Sequence, residues 1–120
     1  MVSGLQGFTL MDQKSNQLKN EYLEISRLYL EKLRRQRIPV VKAYLFGSRA
    51  KGKASKWSDL DLCVISPIFG HDRQGERVRL MNLCQGISDL IEPHPYSPTD
   101  FENEFDSLAR EIKRTGIIVS

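Results

Sequence analysis

Two aspartates separated by one residue, Asp59 and Asp61, are the best candidates in this sequence for a chemical role. They open an apolar segment with the composition of a β-strand. Residues two apart on a strand point to the same face, about 6.6–6.8 Å apart along the chain. The two carboxylates should therefore lie side by side and repel each other unless a cation neutralises them. Mg²⁺ accepts one or two carboxylates and completes its shell with water and substrate phosphates, so the pair predicts a magnesium site.

A basic loop before the aspartates has the features of a phosphate site. Gly47 allows backbone N–H groups to approach an anion closely, and the hydroxyl of Ser48 can donate to it. Positive charge follows at Arg49, Lys51, Lys53 and Lys56. An anion-binding loop followed by metal-binding carboxylates predicts a site for a complex of Mg²⁺ with a nucleoside triphosphate.

The sequence resembles the GSxxxG…DxD signature of nucleotidyltransferases of the DNA polymerase β superfamily. The two matching segments are GSRAKG at residues 47–52 and SDLDL at residues 58–62. Among these enzymes, the chain is most similar to the minimal nucleotidyltransferases of bacteria and archaea. Either motif alone is weak evidence, but the two in this order, on consecutive predicted strands, are fairly specific.

The resemblance implies that ATP is the substrate and that two Mg²⁺ ions are the cofactors. Asp59 and Asp61 would ligate the ions. The nucleotide would contact a set of loop residues: Gly47, Ser48, Arg49 and Lys53. The products would be a nucleotidylated hydroxyl group and pyrophosphate.

A third acid on the next strand completes the metal site in this superfamily and can act as the base. Two candidates, Asp89 and Glu92, lie in the third predicted strand, residues 87–92, and strand parity allows only one of them to face the site. The run Glu92-Pro93-His94-Pro95 resembles that of many minimal nucleotidyltransferases, which favours Glu92, with Asp89 as the alternative. The two prolines are expected to end the pairing of this strand.

A Walker A loop is a competing interpretation, because Gly47 is followed at the right distance by Gly52 and Lys53. Position 54 is alanine, however, so the hydroxyl that should reach Mg²⁺ is missing. A P-loop must also open a helix, whereas the next predicted strand follows within a few residues. The other alternative is an ordinary strand–loop–strand whose charges face solvent.

The hydrophobic pattern along the chain predicts one α/β domain, residues 1–120, with a mixed sheet and helices mainly on one face. The open face would hold the acids. Residues 1–11 are expected to be irregular, and residues 40–115 to form the catalytic core. The predicted helices are 12–37, 76–85 and one from Ser97 to Arg114; the predicted strands are 40–46, 60–65, 87–92 and a short one at 117–119.

Composition argues against several classes of protein. A net charge of +3 is too small to indicate a nucleic-acid binder. No apolar run approaches the roughly 20 residues of a membrane span, and the N-terminal residues lack a signal-peptide pattern.

Cys63 and Cys84 lack metal-site spacing and are compatible with a reducing cytosol, so a cytoplasmic protein is expected. Cys63 is predicted to be a core residue, not a nucleophile.

The acceptor is expected to come from another chain, in a homo- or hetero-oligomer, because 120 residues leave little room for a second domain. The resemblance implies a helical HEPN-type partner, a toxin that this chain, as its antitoxin, would inactivate by adding AMP to a tyrosine. Two alternatives stay open. One is a non-catalytic nucleotide-binding subunit that occludes its partner; the other is a small-molecule nucleotidyltransferase of the aminoglycoside-modifying kind.

Overall fold

A computed structural model describes residues 10–47 and 59–119. The elements in chain order are α1 (Leu10–Arg35), β1 (Lys42–Phe46), β2 (Leu60–Ile65), α2 (Arg73–Asn82), β3 (Ile91–Tyr96), α3 (Pro98–Phe101), α4 (Ser107–Thr115) and β4 (Ile117–Ile118). The sheet order is β3-β2-β1-β4. β1 is antiparallel to both β2 and β4, and β2 is parallel to β3. The prediction of an α/β fold with a mixed sheet is confirmed.

The long helix α1 packs one stripe of side chains on the sheet. Tyr22, Tyr29, Leu30 and Leu33 recur at helical spacing and are buried with residues of β1 and β2. The helix ends at Arg35, two residues before the predicted end. No helix within 10–47 or 59–119 has the length and apolarity that a membrane span requires.

The end of α1 is set by a backbone turn at Arg37. Arg37 adopts a positive φ of 64°, and the N–H of Ile38 donates to the carbonyl of Leu33 at 3.0 Å. This pattern is typical of a helix that closes with a residue in the left-handed conformation. Ile38 is fully buried as a result.

The sheet is covered on both faces. Ala43, Leu45, Leu62 and Val64 pack beneath α1 and α2. The opposite face carries a second apolar cluster, in which residues from β1, β2 and β3 meet residues from α3 and α4: Tyr44, Phe46, Cys63, Ile65, Tyr96, Phe101, Ala109 and Ile112. The face expected to be open is therefore partly covered by the short C-terminal helices, since its strands carry large apolar side chains.

The prediction of a strand at 87–92 is wrong, because β3 is the proline-containing run Ile91–Tyr96. β3 is the first strand in the sheet order. The amide of Leu60 donates to the carbonyl of Leu90, and the amide of Ser66 donates to the carbonyl of Tyr96. The backbone polar groups of even-numbered residues in this segment therefore face β2. The backbone of Pro93 and Pro95 faces the outer edge of the sheet, where the missing N–H of a proline breaks no hydrogen bond.

Two helices also differ from their predicted bounds. α2 begins at Arg73, three residues before the predicted start, because Asp72 caps it by accepting from the N–H of Gly75 at 3.1 Å. The predicted helix from Ser97 to Arg114 is two helices. Asp106 caps the second one by accepting from the N–H of Ala109 at 3.0 Å.

Two leucines on α1 test how much the fold depends on the buried stripe. Leu33 is fully buried, whereas Leu28 is 45% exposed. Leu33→Ala should lower the free energy of unfolding by about 2–5 kcal/mol, because it leaves a cavity in the core. Leu28→Ala should lower it by less than about 1 kcal/mol. Urea denaturation followed by circular dichroism measures both, and equal losses would contradict the packing described above.

Candidate active site

Strand register brings two acids and a histidine together. In the parallel pair of β2 and β3, Asp61 lies opposite Glu92 and Cys63 lies opposite His94. Alternate residues of a strand share a face, so Asp61, Glu92 and His94 point to the same side of the sheet. Their ligand atoms all lie within 4.8 Å of one another. We call these three residues the acid–histidine cluster.

Each acid in the acid–histidine cluster has a basic neighbour. Arg77 Nη2 lies 2.8 Å from Glu92 Oε1, and His94 Nε2 lies 3.2 Å from Asp61 Oδ1. The ring of Phe46 packs against His94 with its centroid 5.0 Å away. Both polar contacts orient a carboxylate, and the positive charge of Arg77 reduces the repulsion between the two acids. The Asp61 and Glu92 side chains are 26% and 36% exposed, so a ligand can reach them.

Gly47 leaves the space that Asp61 occupies. It has a positive φ of 75°, and a Cβ at this position would lie 2.6 Å from Asp61 Oδ2. Phe46, the last residue of β1, pairs with Asp61 in the sheet register. The predicted glycine of the phosphate loop therefore has a second role, because a side chain at this position would push the Asp61 carboxylate out of its place.

The predicted site residues fall into three groups. Glu92 lies beside Asp61, as described above. Asp59 lies just before β2 and Asp89 two residues before β3; both are exposed, and neither belongs to the acid–histidine cluster. Ser48, Arg49 and Lys53, with Lys51 and Lys56, lie outside the described residues. The structure thus places Glu92, and not Asp89, next to Asp61.

Sequence reasoning missed His94 and Arg77. The prediction that the prolines end the strand leaves His94 outside the sheet, whereas a strand through Glu92, His94 and Tyr96 places these residues on one face, with His94 beside the acid. Arg77 lies one residue after the predicted helix start, and nothing in the sequence relates it to Glu92. Its position depends on how α2 packs along β3.

The donor atoms of the acid–histidine cluster fit a divalent cation. Two carboxylates suit Mg²⁺ or Mn²⁺. An imidazole can add a ligand for Mn²⁺, or can hold a ligating carboxylate in place through a hydrogen bond. Among the described residues this is the group of acids, histidines and cysteines that could hold a metal ion.

Cys63 has no part in nucleophilic chemistry at this site. It is fully buried, and burial, together with the charge of Asp106, raises the pKa of its thiol to about 12. A thiol that stays protonated at neutral pH is a poor nucleophile. The expectation that Cys63 is a core residue is confirmed.

Comparison with known proteins finds a family match over most of the chain. A family model described as "nucleotidyltransferase domain" matches residues 27–118. A probable protein adenylyltransferase, MntA, of Haemophilus influenzae is 47% identical over 49 residues. That match covers 41% of this chain and 40% of the relative, so the similarity extends over less than half of either protein.

The fold resembles that of a solved structure. A protein from Sulfolobus solfataricus, provisionally assigned as a nucleotidyltransferase, superimposes with a TM-score of 0.63. The superposition covers 93% of this chain and 88% of the other. The sequences are only 14% identical, so this likeness concerns the fold alone.

Gly47 and Gly86 form a matched pair for testing the close approach to Asp61. Both have positive φ, but a Cβ at Gly86 would meet no atom within 4 Å. Alanine at either position should lower the free energy of unfolding by about 1 kcal/mol from backbone strain. Gly47→Ala should in addition displace Asp61 and weaken Mn²⁺ binding at least tenfold, as measured by electron paramagnetic resonance. Equal Mn²⁺ affinity in the two variants would show that the approach of Gly47 to Asp61 is unimportant.

Proposed function

Because the chain belongs to the nucleotidyltransferase domain family, we propose that it transfers AMP from ATP to a hydroxyl group of a partner protein. The observation that carries this proposal is the pairing of Asp61 with Glu92 across β2 and β3, with Gly47 at the end of β1. The adenylyltransferase relative supports the choice of AMP and of a protein acceptor.

In the proposed reaction the acceptor oxygen attacks the α-phosphorus of ATP. A bond forms between them, the bond from the α-phosphorus to the bridging oxygen breaks, and pyrophosphate leaves with the electron pair. Glu92 would accept the proton of the hydroxyl or hold a metal ion, and Arg77 keeps its carboxylate in place. Asp61 would hold a metal ion with Asp59, and His94 orients Asp61.

A divalent cation fits this scheme. Mg²⁺ bound by the carboxylates would neutralise the phosphates and lower the pKa of the attacking hydroxyl. The triphosphate would lie along the loop that follows Gly47, whose side chains at Ser48, Arg49 and Lys53 would contact it.

We further propose that the acceptor is a helical HEPN-type protein and that this chain is its antitoxin in a cytoplasmic hetero-oligomer. The support is the resemblance to minimal nucleotidyltransferases and the exposure of the acid–histidine cluster at the surface. An acceptor delivered by another folded chain could reach such a site directly.

Matched substitutions at three acids test the proposed roles. Glu92→Gln should lower the rate of AMP transfer about 10²–10⁴-fold, since the glutamine can neither take a proton nor ligate as an anion. Asp61→Asn should lower it at least as much. Asp89→Asn should have little effect, because this acid lies outside the cluster. Pyrophosphate release measures the rate, and a large loss in Asp89→Asn with little loss in Glu92→Gln would reverse the assignment of the third acid.

Labelling experiments test the acceptor class. The chain, Mg²⁺, and ATP labelled at the α-phosphate are incubated with a helical HEPN-type partner, and mass spectrometry locates the AMP. A labelled tyrosine on the partner is expected, and Asp61→Asn should abolish it. Tight binding without labelling would favour a non-catalytic subunit, whereas labelling of an aminoglycoside alone would favour a small-molecule enzyme.

A further inference from the structure

A pocket of about 460 Å³ is lined by residues of α2, β3 and α4, next to the acid–histidine cluster. Its wall combines basic, aromatic and apolar side chains: Arg73, Gln74, Arg77, His94, Tyr96 and Leu108. His94 belongs both to this pocket and to the acid–histidine cluster. The volume is within the range of about 300–1,000 Å³ that is typical of ligand sites.

Arg73 gives this pocket a cation that is available to a ligand. Arg77, one helical turn away, is paired with Glu92 at 2.8 Å. The guanidinium of Arg73 instead lies over the ring of Tyr96, 4.8 Å from its centroid. In residues 10–47 and 59–119 it has no ion-pair partner within 4.0 Å. Its N–H donors can therefore bind an anion.

The acids that contact the pocket lining are already engaged, Glu92 with Arg77, Asp61 with His94 and Asp106 with Tyr96. Asp106 accepts a hydrogen bond from the Tyr96 hydroxyl at 3.1 Å and another from the N–H of Ala109 at 3.0 Å. Burial, and then this bond to Asp106, raises the pKa of Tyr96, so Tyr96 stays neutral. The lining side chains thus include arginine cations and no carboxylate.

The position of the pocket relative to the strands assigns it to one side of the reaction. β2 lies between β1 and β3. Gly47 follows β1, whereas the pocket adjoins β3, so Asp61 on β2 lies between Gly47 and the pocket. In phosphoryl transfer the attacking and leaving oxygens are roughly in line on opposite sides of the phosphorus. If the triphosphate lies on the side of Gly47, the pocket is on the acceptor side.

We infer that this pocket is an acceptor subsite that binds a carboxylate side chain next to the acceptor hydroxyl of a partner protein, with Arg73 as the residue that selects it. This inference rests on the proposed function. Arginine binds carboxylates through two parallel N–H donors. Tyr96 and Leu108 supply an apolar wall for the stem of the acidic side chain or for an aromatic acceptor.

A protein carboxylate suits the pocket better than a nucleic-acid backbone does. Strong binding to nucleic acid needs several cations along a track of phosphates. Here one arginine is available, a second is paired with Glu92, and Asp106 lies beside the pocket. Such a site matches a single acidic group.

Two fluorescein-labelled pentapeptides test this subsite on the full chain. Both have a central tyrosine, flanked in one by glutamates and in the other by lysines. Fluorescence anisotropy at low ionic strength should show at least tenfold tighter binding of the glutamate peptide. Arg73→Ala should weaken that binding about tenfold, and Arg73→Lys should weaken it less. Arg79→Ala, an exposed change on the same helix, should leave it unchanged.

Three results would overturn the inference: equal binding of the two peptides, equal losses in Arg73→Ala and Arg79→Ala, or binding of an oligoribonucleotide in place of the glutamate peptide. AMP transfer to the same peptides separates this inference from the proposed function. AMP transfer to both peptides at equal rates would support the proposed transferase activity and exclude a carboxylate-binding subsite at Arg73. Arg73-dependent binding of the glutamate peptide, without AMP transfer to any acceptor, would support the subsite and contradict the proposed transferase activity.

Discussion

The site depends on holding two like-charged carboxylates next to each other. The parallel register of β2 and β3 places Asp61 opposite Glu92, so the backbone ladder, and not attraction between the side chains, brings them together. Arg77 contacts Glu92 and offsets part of the repulsion with its positive charge, and His94 holds Asp61 through a hydrogen bond. Gly47 leaves the carboxylate of Asp61 room at the end of β1. A divalent cation and a triphosphate would complete the balance of charge.

The surrounding structure also holds α2, the helix that carries Arg77. Glu76 accepts hydrogen bonds from the N–H groups of Gly70, His71 and Asp72 and so fixes the start of α2. The hydroxyl of Tyr29 donates to the carbonyl of Leu80 at 2.7 Å, which ties α1 to α2. Burial raises the pKa of Tyr29, so it remains a donor. These contacts hold α2, the helix that carries Arg77, in its place against the rest of the fold.

Much of this arrangement can be predicted from local patterns. The apolar run Leu60–Ile65 gives β2 at its observed bounds, and helical spacing gives α1. The bounds of β3 cannot be predicted in this way, because prolines usually exclude a strand. The sheet order shows that β3 is an edge strand, whose outer side makes no backbone hydrogen bonds within the sheet. Without this strand, the position of His94 beside Asp61 cannot be predicted either. Arg77 could not be predicted, because its contact with Glu92 joins residues 15 apart in sequence through tertiary packing.

A crystal structure with Mn²⁺ and a non-hydrolysable ATP analogue would show whether Asp61 and Glu92 share a metal ion, because the anomalous signal of manganese locates the ion without reference to activity. We expect a manganese peak within ligand distance of both Asp61 and Glu92. The peak should be lost in a crystal of the Asp61→Asn variant. A peak bound by Asp89 in place of Glu92, or bound nucleotide with no ion at Asp61, would contradict this expectation.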